Sequence, residues 1–251
     1  MAISIIGTPQ IGNTNNGGAV TLTWSTTPSE NDYTIVITGC PANTATDASM
    51  TTSGYTALTR YEGADNTKPK YTIFYKKQGA SPDTNAVVAS IGDSAVDQSA
   101  IGFVLRGVDT TTFSDQTPTT AGETTSTNPD PASIVTQTNG AFVFVVAMMI
   151  TTKDTAITAP SGYTGYSRVG DDTNDHTLAS AYKEIATAGT ENPASWTNWN
   201  SGLWHSITFA VRPAVGLPIK VNIGDVWKDA TAMKINIGDT WKDVEIGRAH
   251  V

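Results

Sequence analysis

The chain repeats itself, and whatever architecture one copy adopts the other must adopt as well. Ser53-Gly54-Tyr55-Thr56 recurs as Ser161-Gly162-Tyr163-Thr164, an offset of 108 residues, and Tyr75-Lys76 recurs as Tyr182-Lys183, an offset of 107. Ile101-x-Phe103-x-Leu105-Arg106 returns as Ile207-x-Phe209-x-Val211-Arg212 at an offset of 106, and Tyr33-Thr-Ile-Val-Ile matches Phe142-Val-Phe-Val-Val more loosely. Residues 1–109 and 110–214 are therefore two homologous halves of about 107 residues each.

Within each half, period-2 segments bounded by Gly, Pro, Asn and Asp predict strands. In the first they fall near Ala19–Trp24, Tyr33–Thr38, Tyr55–Tyr61, Tyr71–Lys77, Ala86–Ser90 and Ser99–Arg106; in the second, near Ser133–Gln137, Ala141–Ile150, Thr164–Val169, Thr177–Glu184, Ala194–Trp199 and Ser206–Arg212. The composition agrees. Only 15% of residues are charged, which is low for a helical protein, and threonine, stiff at χ1 and suited to strands, is abundant. In each closing strand Ile101, Phe103 and Leu105, or Ile207, Phe209 and Val211, share one face, with Arg106 and Arg212 on the other. A sheet with one apolar face must bury it against another layer. The expected fold is all-β: a jelly-roll-like antiparallel β-sandwich that the two halves build together, with Thr110–Pro131 as a long surface connection.

After Val215-Gly216-Leu217-Pro218, a short linker, a second repeat begins. Asn222-Ile-Gly-Asp-Val-Trp227-Lys-Asp229 recurs 14 residues later as Asn236-Ile-Gly-Asp-Thr-Trp241-Lys-Asp243. Each copy within 219–244 reads as a β-hairpin around a two-residue II′ turn, Gly224-Asp225 or Gly238-Asp239. That register sets Lys220 opposite Asp229 and Asn222 opposite Trp227, and repeats with Lys234–Asp243 and Asn236–Trp241. Two such hairpins bury little by themselves, so they are expected to stack on further copies or on neighbouring chains. Residues 246–251, Ile-Gly-Arg-Ala-His-Val, break the pattern and resemble the translation of a short-read sequencing adapter. The expectation is an adapter-derived, non-native end, with the natural chain continuing into more repeats, and His250 enters no site.

A formal charge of -8 and a pI near 4.7, with no Lys/Arg cluster, argue against a nucleic-acid partner. The N-terminus lacks the pattern of a secretory signal, and the longest apolar run, Ala141–Ile150, is about half of what a membrane helix needs, so no membrane insertion is expected. The single cysteine, Cys40, reads as a buried thiol.

Few residues suggest chemistry. The chain has no Gly-x-Ser-x-Gly elbow, phosphate-binding loop or His-x-x-x-His, so no catalytic residue and no cofactor is assigned. His176 and His205 are the plausible bases, and no triad is visible around either. Glu62, Glu184 and Glu191 stand in no recognisable glycosidase context. Gly170-Asp-Asp-Thr-Asn-Asp175 offers Asp171, Thr173 and Asp175 as a weak Ca²⁺ candidate, without the later Gly and bidentate Glu of a full Ca²⁺ loop; a polar turn is the favoured reading. Trp196, Trp199 and Trp204 crowd into nine residues. Trp196 is expected in the core. Trp199 and Trp204, beside the Asn200-Ser201-Gly202 turn, could stack on a sugar while Asn198 or His205 orients a hydroxyl.

Ser-Gly-Tyr-Thr, the Tyr-Lys strand, a Thr/Ser-rich loop, and the closing Arg106-Gly-Val-Asp109 or Arg212-Pro-Ala214 together resemble duplicated β-sandwich proteins among the structural genes of tailed bacteriophages, many from environmental samples. The Asn-Ile-Gly-Asp-x-Trp-Lys repeats resemble tails of phage fibre-like proteins. The likeness spans residues 1 to 244. It departs from the usual pattern at Thr52, where Pro160 supplies the commoner Pro-Ser-Gly, and at Tyr55 and Tyr163, where Trp is common. It implies a non-enzymatic virion component: a tail or head fibre, decoration or adhesion protein, localised to the particle. Its partners would be copies of itself, as in a homo-oligomer such as a trimer, other virion proteins, and a host-surface glycan. The alternative is a carbohydrate-binding module resting on the tryptophans; a glycan hydrolase is more distant.

Overall fold

The computed structural model describes residues 2–41, 47–62, 69–91, 96–150, 157–171 and 176–214, and the strands of the C-terminal hairpins. The chain forms two compact units, 1–214 and 215–251.

In the first half the strands are β1 (Ser4–Ile5), β2 (Gln10–Thr14), β3 (Val20–Thr23), β4 (Tyr33–Cys40), β5 (Thr56–Glu62), β6 (Lys70–Lys77), β7 (Asn85–Val88) and β8 (Gln98–Arg106). The second half has β9 (Ser114–Ser126), β10 (Ile134–Val135), β11 (Ala141–Ile150), β12 (Thr164–Asp171), β13 (His176–Ile185), β14 (Thr190–Glu191) and β15 (Gly202–Val211). The large sheet of the first half runs β1-β8-β4-β6-β5, with β2 also on β8; that of the second runs β9-β15-β11-β13-β12. The orders are the same, with β9 standing for β1 and β2 together. Each half adds a two-stranded ribbon, β3-β7 or β10-β14. The duplicated antiparallel β-sandwich expected from the sequence is the fold of the chain.

Strand alternation sorts the core into layers. On β4, Ile35 and Ile37 point between the two large sheets, while Val36 points outward to Val20, Leu22 and Trp24 beneath the β3-β7 ribbon. On β11, Phe142, Phe144, Val146 and Met148 join the shared core, and Val143, Val145, Ala147 and Met149 pack outward with Trp196, Trp199 and Trp204. Both central strands are covered on both sides, which is why they read as continuous apolar runs rather than alternating ones.

The large sheets face each other in a specific way. Phe103 of β8 meets Tyr182 of β13 edge to face, ring centroids 6.2 Å apart, and Tyr71 of β6 meets His205 of β15. Since β8 is the equivalent of β15 and β6 of β13, exchanging the halves maps one strand pair, β8 against β13, onto the other, β15 against β6. The halves are thus related by a pseudo-two-fold axis. At one end the crossover between them is tied down: Asp109 N–H donates to Arg212 O, Arg212 N–H to Phe113 O and Ala214 N–H to Gly107 O.

Two sequence expectations are corrected. Thr110–Pro131 is not a loose connection, because 13 of its residues form β9 on the edge of the second large sheet. Its Thr-rich composition gave no apolar alternation to read, and Pro118, which lacks an N–H, is tolerated on an edge. The register shifts between Trp204 and His205, where Gly122 (φ +137°) lies so close that a Cβ would sit 2.5 Å from Trp204 O. Ala194–Trp199 is not a strand; the second ribbon uses Thr190–Glu191 instead, and Trp196 and Trp199 lie in the loop that follows.

In the second unit β16 (Lys220–Ile223) pairs with β17 (Val226–Asp229), and β18 (Lys234–Ile237) with β19 (Thr240–Asp243). The registers are those expected: Lys220↔Asp229, Asn222↔Trp227, Lys234↔Asp243 and Asn236↔Trp241. The Gly-Asp turns, the linker 215–218 and residues 246–251 lie outside the described residues. Among the described residues no helix is long and apolar enough to cross a membrane.

Candidate functional site

The repeated motifs meet in space. Gly54 (φ +85°) turns the chain so that Lys76 can pass close by; its Nζ donates to Ser53 O (2.9 Å) and Asp83 Oδ2 (2.6 Å) and lies 5.8 Å from the centre of the Tyr55 ring. In the second half Lys183 Nζ bonds both carboxylate oxygens of Glu191 (2.9 and 3.0 Å) and lies 5.7 Å from the Tyr163 ring. Burial pushes the Tyr55 and Tyr163 hydroxyls far above the ordinary phenol range, Glu191 reinforcing the effect at Tyr163. Ser-Gly-Tyr and Tyr-Lys are thus two sides of one clamp that joins a turn to β6 or β13. The conspicuous repeat is structural. Of the carboxylates weighed for sugar hydrolysis, Glu191 is held by Lys183, Glu62 by Arg60, and Glu184 is exposed.

The closing arginines also find acids, from non-equivalent places. Arg106 donates twice to the buried carboxylate of Asp32 (2.8 and 2.9 Å), and Arg212 lies 3.5 Å from the buried Asp115. Beside Arg106 a small cavity of about 240 Å³ opens among Glu30, Asn31, Gly107 and Val108.

The tryptophan platform is corrected. Trp199 and Trp204 are 4% and 6% exposed and pack in the outer core of the second half with Trp196, whose ring meets that of Trp199 edge to face at 5.9 Å. The cause is the outer layer. Paired backbone bonds between Thr158 and Thr197 and a bond from Trp196 N–H to Pro129 O fold the 192–201 loop over β11, so its indoles fill the space beneath it. Asn198, in the left-handed region (φ +63°), is exposed and donates to Thr158 Oγ1. His205 is next to Trp204 in sequence but on the opposite face of β15, so the sheet separates the two. The four residues do not form one site. Of the Ca²⁺ candidates, Asp171 ends β12, and Thr173 and Asp175 lie outside the described residues.

Both inner histidines instead bond across the halves. His205 Nδ1 is 2.8 Å from the Tyr71 hydroxyl, with the Tyr61 ring stacked on the imidazole, and His176 Nε2 is 2.7 Å from Ser99 Oγ. Ser99 and His176 have the spacing of a nucleophile and its base. Both are fully buried between the sheets, and the pair helps to pack the two halves together. Burial also drives the Tyr71 hydroxyl well above the ordinary phenol range. Tyr71 and Ser99 attract no notice in the sequence. The signal was available in the repeat: at the offset of 106, Ser99 aligns with His205.

No protein-family model, curated protein or solved structure matches this chain.

Proposed function

We propose that the protein is a non-enzymatic structural component of a tailed-phage particle, a fibre, decoration or adhesion protein that works as a homo-oligomer. The observation that carries this reading is the C-terminal unit, where two 14-residue repeats form separate hairpins of identical register. A two-stranded hairpin is marginal by itself, so a tandem of them is suited to stacking with copies from neighbouring chains. The sandwich supports the same role, because its histidines, Ser99 and Tyr71 join the halves rather than face solvent. The burial of Trp199 and Trp204 removes the observation on which the carbohydrate-binding alternative stood.

The test is immunogold electron microscopy of tailed particles, with antibody raised against residues 1–214. Label at a fixed position on the particle is expected. Protein recovered only free of particles would sink the reading.

A further inference from the structure

The pseudo-two-fold arrangement raises the question of which face each half can accept. A symmetric duplication begins with two identical faces, and identical faces fit themselves as readily as each other. The contacts near the axis show that the faces no longer match.

At the offset of 109 that aligns Tyr33 with Phe142, Gly39 of β4 aligns with Met148 of β11, and these two residues meet across the core. A Cβ on Gly39 would lie 2.7 Å from Met148 Sδ, so the missing side chain is the space the methionine occupies. A first half paired with another first half would set Gly39 against Gly39 and leave a void. A second half paired with another would set Met148 against Met148 and overfill the same space.

The polar contacts follow the same logic. Tyr71 reaches His205, whose aligned position in the first half is Ser99. In a pairing of two first halves Tyr71 would face Ser99, a much shorter side chain. In a pairing of two second halves His205 would face Leu178, the residue aligned with Tyr71, and would also take the place of Ser99 against His176, setting two imidazoles where the native pairing has one imidazole and a small hydroxyl. Mispairing therefore combines a packing defect with the loss of the Tyr71–His205 bond and crowding at the Ser99–His176 contact, and such a penalty on the wrong pairing gives discrimination between partners.

We infer that the inner faces of the two halves are a heterotypic recognition pair: the 1–109 face takes the 110–214 face, from its own chain or from a second copy, and rejects itself. Tyr33, Ile35 and Ile37 of β4 supply general apolar area. Gly39–Met148, Tyr71–His205 and Ser99–His176 supply the choice.

The experiment uses the full chain with a protease site inserted at the exposed Thr110–Thr112 segment. The protein is cut, mixed with an isotope-labelled cut sample, carried through mild denaturation and refolding, and weighed by native mass spectrometry. The expected result is one 1–109 piece for every 110–251 piece, light and heavy pieces combined at random, with at least about tenfold more heterotypic than homotypic contact. This one-to-one ratio holds whatever order of oligomer the C-terminal hairpins produce. Pieces of 1–109 that remain alone, or that pair with each other in amounts comparable to the mixed complex, overturn the inference.

Discussion

The hydroxyl of Tyr71 and Nδ1 of His205 are 2.8 Å apart although 134 residues separate them, and both side chains are sealed between the two large sheets. The bond joins one half of the chain to the other at a place where neither group has access to water. Removing the hydroxyl in Tyr71→Phe leaves the facing imidazole without this partner, so a loss of about 1–3 kcal/mol in stability is expected. Urea unfolding of the intact chain measures it. A midpoint equal to that of the unaltered protein would show that the bond contributes nothing net.

Gly39 and Met148 should behave as a coupled pair. Gly39→Ala brings a methyl group within 2.7 Å of Met148 Sδ and 2.9 Å of Tyr71 Cβ, and overpacking of this kind costs about 1–3 kcal/mol. Met148→Ala removes one of the two clashes while opening a cavity. In a double-mutant cycle the pair should be less destabilised than the sum of the singles by about 0.5–3 kcal/mol. Strict additivity would mean that the two residues do not share the space.

Replacing Trp199 or Trp204 by Ala should report on stability. Each indole is buried in the outer core of the second half, so each change is expected to cost about 3–5 kcal/mol. Thermal unfolding gives the size of the effect. A variant that melts normally and loses adhesion to host cells would return these residues to the surface and restore the sugar-platform reading.

Alkaline pH should unfold the protein. Burial, the leading cause at each of Tyr55, Tyr71 and Tyr163, raises the folded-state pKa above its unfolded value near 10. Raised pKa values mean that the folded state holds its protons more tightly. The stability they contribute is full below about pH 10 and falls as pH rises beyond it. Tyrosinate absorbance should therefore show a late group that ionises together with the loss of structure. Smooth titration of all tyrosines near pH 10 in a still-folded protein would contradict the burial.

Deleting residues 219–251 should leave the melting temperature of the sandwich nearly unchanged, since residues 1–214 close their own core and form a separate compact unit. Differential scanning calorimetry of the two forms is the check. A large drop would show that the hairpins stabilise the sandwich.

The sequence by itself determined the duplication, the central strands β4, β6, β8, β11, β13 and β15 of the two large sheets, and the hairpin registers down to Asn222 opposite Trp227. These are local or repetitive properties: a period-2 pattern and a Gly-Asp turn act within a few residues, and a repeat announces itself by self-comparison. Strand β9 stayed hidden because an edge strand of Thr and Ser needs no apolar alternation; its partner β15 makes it a strand. Tertiary structure alone decided the fate of the aromatic and polar residues. Trp204 and His205 are neighbours in the chain, yet one enters the outer core and the other the junction of the halves, because adjacent strand residues face opposite ways and layers lie on both sides of β15. That both sides are covered depends on the 192–201 loop folding over one face and on Tyr71, from the other half, closing the other.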